Sequence, residues 1–159
     1  MTAQILDRVL RCYRIGDPDG RYPIFDATGS TLAPGRWNTP ATPLIYSSEH
    51  YSTAMLEKLV RGRGKLPPHQ HYIEITIPNG TSYEVLNEAA LPGWHERDGA
   101  AARAFGSAWC LGKRSLILLV PSVVARVDRN VLINPQHPEF RRVSHSLHKP
   151  VWWDDRLFA

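Results

Sequence analysis

Hydrophobic and polar positions alternate along two stretches of the chain. From Val9 to Ile15, Leu10, Cys12 and Arg14 fall on one side, with Val9, Arg11, Tyr13 and Ile15 on the other. His71 to Ile77 alternates in the same way. A period of two predicts β-strands at both places. Ser115 to Val120 is a continuous apolar run, the pattern of a strand buried on both faces, and Pro121 stops it. Leu44 to Ser47, Ser82 to Leu86 and Val131 to Ile133 predict shorter strands. Pro78-Asn79-Gly80 marks a turn, and Asn134-Pro135 closes the last strand.

Two segments read as helices. Ser48 is placed to cap one that runs to about Arg61, with Ser52, Met55, Leu56 and Leu59 on its core face and Gly62 and Gly64 ending it. Asp98 is placed to cap the other, where Ala101, Phe105, Ala108, Trp109 and Gly112 share a face. Pro138 suits the first turn of a short helix. Asp17 to Pro34 is rich in Gly, Pro, Asp and Ser and reads as a long loop, a kind often tied to function. The aromatic tail, Val151 to Phe158, is expected to pack on the body. Strands outnumber helices without regular βαβ alternation. The class is therefore α+β, with a mixed or antiparallel β core flanked by helices in one domain over 1–159.

The 159 residues are enough for one buried core, and 43% hydrophobic with 21% charged residues is ordinary for a folded soluble protein. No apolar run reaches membrane-spanning length, and Met1 to Leu10 lacks a signal peptide's long apolar segment. The expectation is a cytoplasmic protein with no membrane partner. Cys12 and Cys110 sit among apolar neighbours and read as reduced, buried thiols. The formal net charge is +4, and Lys occurs only at positions 58, 65, 113 and 149, so Arg supplies most of the positive charge. Arg favours forked, planar contacts to phosphate and carboxylate. That balance admits a phosphate-bearing ligand, nucleic acid or an acidic protein, and no basic run exceeds two residues.

Candidate chemistry gathers in one ordered set: Gly35-Arg36-Trp37-Asn38, then Leu44-Ile45-Tyr46-Ser47, then Glu57. Arg36, at the end of a Gly/Pro-bearing loop, is placed either to clamp a pyrophosphate with parallel hydrogen bonds or to stack on Trp37. Tyr46, at a strand end, offers a ring to stack on a ligand or a core ring with a satisfied hydroxyl. Glu57 lies about 140° from the centre of the apolar helix face at 100° per residue. It either pairs with Arg61 at i,i+4 or borders a cleft. In a cleft it would stabilise the oxocarbenium-like sugar formed when an N-glycosidic bond breaks. Ser122 has no Gly-x-Ser-x-Gly elbow around it, so it reads as a ligand-holding or turn-capping hydroxyl rather than a nucleophile. The seven histidines lack zinc spacing, and neither a P-loop nor GxGxxG occurs. No metal is expected.

Taken together, these pieces resemble the RES-domain family, named for its Arg, Glu and Ser. The matching elements are Tyr13-Arg14, Gly35-Arg36-Trp37-Asn38, Leu44-Ile45-Tyr46-Ser47, Ala54 with Glu57, Pro121-Ser122, Asn130-Val131-Leu132-Ile133-Asn134-Pro135, and His137-Pro138. They run in order from about Tyr13 to Arg156. The resemblance implies a fold similar to ADP-ribosyltransferase toxins and a toxin of a type II toxin–antitoxin pair. It implies NAD+ as substrate, broken at the nicotinamide–ribose bond, with ADP-ribose passing to water, phosphate or a host metabolic enzyme. It implies a helix-turn-helix, Xre-like antitoxin as protein partner and no direct nucleic-acid partner. By the same resemblance Arg36, Tyr46 and Glu57 are catalytic, and Arg14, Ser122 and Asn134 complete the dinucleotide pocket. The rival from another class is a nucleic-acid-binding or ribonuclease toxin, suggested by the Arg-rich balance with interspersed Trp and Tyr.

Overall fold

A computed structural model describes residues 2–65 and 68–158. The alternating stretch near the start becomes β2 (Leu10–Gly16), following a short β1 (Gln4–Ile5). Its two faces divide as the pattern predicts. Cys12 enters an aliphatic core with Ile73, Ile75 and Ile77, while Ile15 and Tyr13 face Ala54 and Tyr51 on the opposite side. The other strands are β3 (Ile45–Ser48), β4 (His71–Ile77), β5 (Ser82–Val85), β6 (Ile117–Pro121), β7 (Arg129–Ile133), β8 (Ser144–His145) and β9 (Lys149–Pro150). They form one sheet in the order β1-β5-β6-β7-β3-β2-β4-β8, with β9 also on β4. Only β5 and β6 pair in parallel, joined through α3 (Ala100–Gly112); every other ladder is antiparallel. The architecture is the mixed α+β sheet with flanking helices that the sequence predicts.

Both helices face their neighbours differently from the sequence expectation. The first predicted helix is α2 (Tyr51–Arg61), whose N-cap is His50 with no side-chain cap; Ser48 instead stays in β3. Its buried residues are Thr53 and Ala54, whereas Ser52 and Leu56 are exposed. Small side chains let α2 lie close to β2, and Thr53 Oγ1 donates to Asp128 Oδ2 at 2.8 Å. That contact turns the Glu57 side of the helix inward. In α3 the buried residues are Ala102, Gly106, Trp109 and Cys110, rotated from the predicted face, and Ala108 is exposed. A Cβ on Gly106 would lie 1.9 Å from the Trp37 carbonyl oxygen. The helix therefore meets the backbone of the Gly35–Asn38 loop at a position without a side chain.

The long loop carries a short helix, α1 (Thr28–Leu32). The tail follows its expectation in part: Val151 is buried and Trp153 packs beside it, but Trp152 is 87% exposed. Among the described residues, no helix is long and apolar enough to cross a membrane.

Candidate active site

A cleft of about 580 Å³ opens between α2, the Gly35–Trp37 loop, the entry to α3 and the turn from β6 to β7. A smaller recess adjoins it, and the two share Tyr46, Glu57, Arg61 and Asn130.

Glu57 stands where the two spaces meet. It forms no ion pair with Arg61 among the described residues; Arg61 instead lies over the Tyr46 ring, 5.9 Å from its centroid. Glu57 Oε1 accepts from Ser122 Oγ at 2.7 Å and from Asn130 Nδ2 at 2.8 Å. Among the described residues, Oε2 has no protein donor. One oxygen anchors the carboxylate and the other is left to the cleft.

Ser122 is fully buried just past β6, where Pro121 delivers it. Its oxygen accepts from the Ala125 backbone N–H at 3.1 Å, which turns its own proton toward Glu57. It therefore holds the Glu57 carboxylate while its oxygen caps the turn.

Tyr46 fixes the loop that presents Arg36. Its hydroxyl donates to Asn38 Oδ1 at 2.7 Å and accepts from the Trp37 N–H at 3.1 Å. A Cβ on Gly35 would fall 2.6 Å from Tyr46 Cζ, so only glycine allows this approach. Burial pushes the hydroxyl up to about 12 against the lowering effect of the Trp37 N–H, so it is neutral at physiological pH. Trp37 is buried and stacks on Trp94 with ring centroids 6.4 Å apart.

Arg36 is held by the carbonyls of Trp94 and Glu96, both through Nη1, at 3.3 Å and 2.5 Å. These contacts leave its other donors for a ligand. Arg103 donates to the Asp98 carbonyl at 2.9 Å. A Cβ on Gly99 would meet Arg103 Nη2 at 3.5 Å and Arg36 Nη1 at 3.9 Å. Two guanidinium groups thus converge on Gly99, the N-cap of the thirteen-residue α3. Forked cations beside a helix N-terminus suit a phosphate.

Arg14 lines the smaller recess and braces it. Its Nε donates to the Ile24 carbonyl at 2.6 Å and its Nη1 to the Tyr46 carbonyl at 2.8 Å, tying the long loop to β3. Burial first, and then the charge of Arg61, lowers its pKa to about 10. Lys58 beside it is lowered by burial and by Arg14 and Arg61. This crowding of like charge is what a polyanionic ligand would relieve.

Asn134 does not belong to this cleft, which corrects its assignment to the pocket. It is fully buried at the far end of β7, where Nδ2 donates to the Cys110 carbonyl at 3.0 Å and Oδ1 accepts from the Gln136 N–H at 3.0 Å. These two partners are backbone groups of α3 and of the turn, and the Cys110 thiol also donates to Oδ1, at 3.5 Å. The residue missing from the sequence reading is Asn130, at the start of the same strand. It lay within a quoted motif, but nothing local set it apart from Asn134. The register does: Asn130 stands opposite Ser48 on β3.

Asp17, Asp19 and His69 lie close enough together to hold a cation, but the group is exposed and lines neither part of the cleft. Cys12 and Cys110 are both free thiols, and burial raises both, Cys12 to about 12.

Comparison with known proteins places this geometry in a family. The chain is 34% identical over 134 residues to the Prs ADP-ribosylating toxin of Sphingobium sp. (strain YBL2), spanning 81% of this chain and 83% of that protein. It is 30% identical over 121 residues to Toxin Res of Pseudomonas putida (strain KT2440), spanning 74% and 82%. The solved M. tuberculosis MbcT–MbcA toxin–antitoxin complex contains a chain with the same fold. Its TM-score is 0.70 at 16% identity, covering 91% of this chain and 85% of that one. The RES domain matches residues 11–154, and the chain belongs to the RES-domain family.

Proposed function

We propose that this protein is the toxin of a toxin–antitoxin pair and that it binds NAD+ and breaks the bond between nicotinamide and ribose. The observation that carries the reading is Glu57. Its Oε1 is fixed by Ser122 and Asn130, its Oε2 has no protein donor among the described residues, and it lines a cleft together with Arg36, Arg61 and Arg103. A ligand that brings two phosphates, a sugar and a cationic leaving base complements that set.

In this reading Arg36 and Arg103, with the N-terminus of α3, hold the pyrophosphate. Arg61 closes on it from above Tyr46. The Tyr46 ring supports the nicotinamide ribose end, and its hydroxyl keeps the Arg36 loop in place. As the C–N bond lengthens, its electron pair leaves with nicotinamide and positive charge builds on the ribose. Glu57 Oε2 stabilises that charge, the kind of fixed electrostatic contact that lowers a barrier most. An acceptor oxygen or nitrogen then bonds to the ribose carbon and loses its proton. The acceptor is a protein side chain, water or phosphate. Arg14 and Ser122 act within the pocket walls. No metal enters the chemistry. A helix-turn-helix antitoxin in the same cytoplasm would hold the activity in check; the antitoxin in the complex of the structural relative supports a protein partner.

Chromatography of NAD+ incubated with the purified chain should show free nicotinamide, and Glu57→Ala should abolish it. An unchanged rate in that variant would remove Glu57 from the mechanism. Mass spectrometry of cell extract separates the acceptors: a protein heavier by one ADP-ribose indicates modification, while cofactor loss alone indicates hydrolysis or phosphorolysis.

A further inference from the structure

We propose that Asn130, held by Ser48, is a positioning residue that selects which oxygen of Glu57 meets the substrate. The inference rests on the NAD+-cleaving reading of the cleft and adds to it a part of the machinery that lies outside the Arg–Tyr–Glu set.

The geometry runs in one line across three elements. Ser48 and Asn130 are directly opposed in the β3–β7 ladder, so their side chains share a face. Ser48 Oγ donates to Asn130 Oδ1 at 2.7 Å. That bond holds the amide, with Nδ2 as the end facing α2. Nδ2 then donates to Glu57 Oε1 at 2.8 Å. Turned over, the amide would set its oxygen against a carboxylate and lose the bond to Glu57, while the Ser48 hydroxyl, which both donates and accepts, would hold either end. Ser122 approaches the same Oε1 from the β6–β7 turn, its own oxygen already occupied by the Ala125 N–H. Two donors, one on β7 and one in the β6–β7 turn, therefore converge on one oxygen. A carboxylate on a helix turns freely about its terminal bond unless both its rotation and its tilt are fixed. Two donors on Oε1 fix both and leave Oε2 aimed into the cleft. Ser48 is buried and Asn130 is half-buried, so water competes poorly for these bonds. Asn130 acts through Glu57 and is not itself a catalytic residue.

The test is steady-state nicotinamide release from NAD+ by the full chain and its variants, each first checked for folding by circular dichroism. Asn130→Ala is expected to lower kcat about 10- to 100-fold, the range typical of residues that orient a catalytic group, with KM changed less than about threefold. Ser48→Ala should lower kcat by less, because it frees the amide without removing it. Asn130→Asp keeps the shape and separates positioning from packing. It replaces the donor to Glu57 with an acceptor of the same size, so kcat should fall as in Asn130→Ala while folding and KM are kept. Should Asn130→Ala fail to fold, Ser48→Ala and the isosteric Asn130→Asp decide the matter. Wild-type kcat in Asn130→Ala or in Asn130→Asp would overturn the proposal while leaving the cleft's activity intact. Absence of nicotinamide release by the wild-type chain would instead overturn the functional reading beneath it.

Discussion

The two ends of β7 carry the same side chain in opposite service. Asn130 is the second residue of the strand and Asn134 follows its close. Asn134 is fully buried and satisfies backbone groups of α3 and the next turn. Asn130 is half-buried and its partners are side chains, Ser48 and Glu57. A buried amide bonded to backbone holds the fold, since leaving those groups unpaired costs free energy. An amide bonded to side chains that converge on open space orients groups for something else. The same contrast separates Arg14, whose identified bonds go to two carbonyls in the wall, from Arg61, which lies over a ring at the cleft mouth.

That contrast can be broken at several points. The largest effect is expected at Gly106→Ala. Its Cβ would meet the Trp37 carbonyl oxygen at 1.9 Å, forcing α3 off the loop. Thermal or urea unfolding should show a loss of roughly 3 kcal/mol or more, the upper range for overpacking. Asn134→Ala should cost about 2 kcal/mol by the same measurement, because it orphans buried backbone groups, while kcat per folded molecule stays near wild type. An Asn134→Ala protein of wild-type stability but reduced kcat would erase the distinction between the two ends of β7.

A third effect belongs to the cleft. Arg61→Ala should raise KM for NAD+ about tenfold with a smaller change in kcat, as expected for a contact made equally in ground and transition states. The smallest effect is in pH. Lys58 is lowered by burial and by neighbouring cations, so it loses its proton at a lower pH than an ordinary lysine. Deprotonation removes a cation from the recess, and KM should therefore begin to rise on the alkaline side before ordinary lysines titrate. Lys58→Met should flatten that limb.

Much of this was legible in the sequence, and the exceptions share a cause. Alternation located β2 and β4 because their side chains face two different environments, and His71–Ile77 is the observed span of β4. The apolar run gave β6, with Pro121 as its last residue. The order Arg36, Tyr46, Glu57, Ser122 was readable; the first three line one cleft, and Ser122 is buried behind Glu57 and bonded to it. What failed was orientation. Apolar Met55 and Leu56 suggested the core face of α2, but Thr53 and Ala54 occupy it, since a close helix–sheet approach favours small residues over large ones. Asn130 escaped because its function depends on which β3 residue stands across from it, and strand register is a long-range property that no local pattern encodes. Asn134 was assigned to the pocket for the same reason in reverse: residue type and motif membership do not say which end of a strand faces the ligand.

The central claim is that the free oxygen of Glu57 stabilises charge on the ribose as nicotinamide leaves. The most direct measurement is nicotinamide release by the Glu57→Gln variant beside the wild type, with NAD+ binding followed by calorimetry on both. The substitution keeps the side chain's shape and removes its charge. The account predicts a rate reduced by roughly 10³-fold or more, in line with the loss of a fixed transition-state contact, with affinity for NAD+ changed only a few-fold. Wild-type turnover in Glu57→Gln would contradict it.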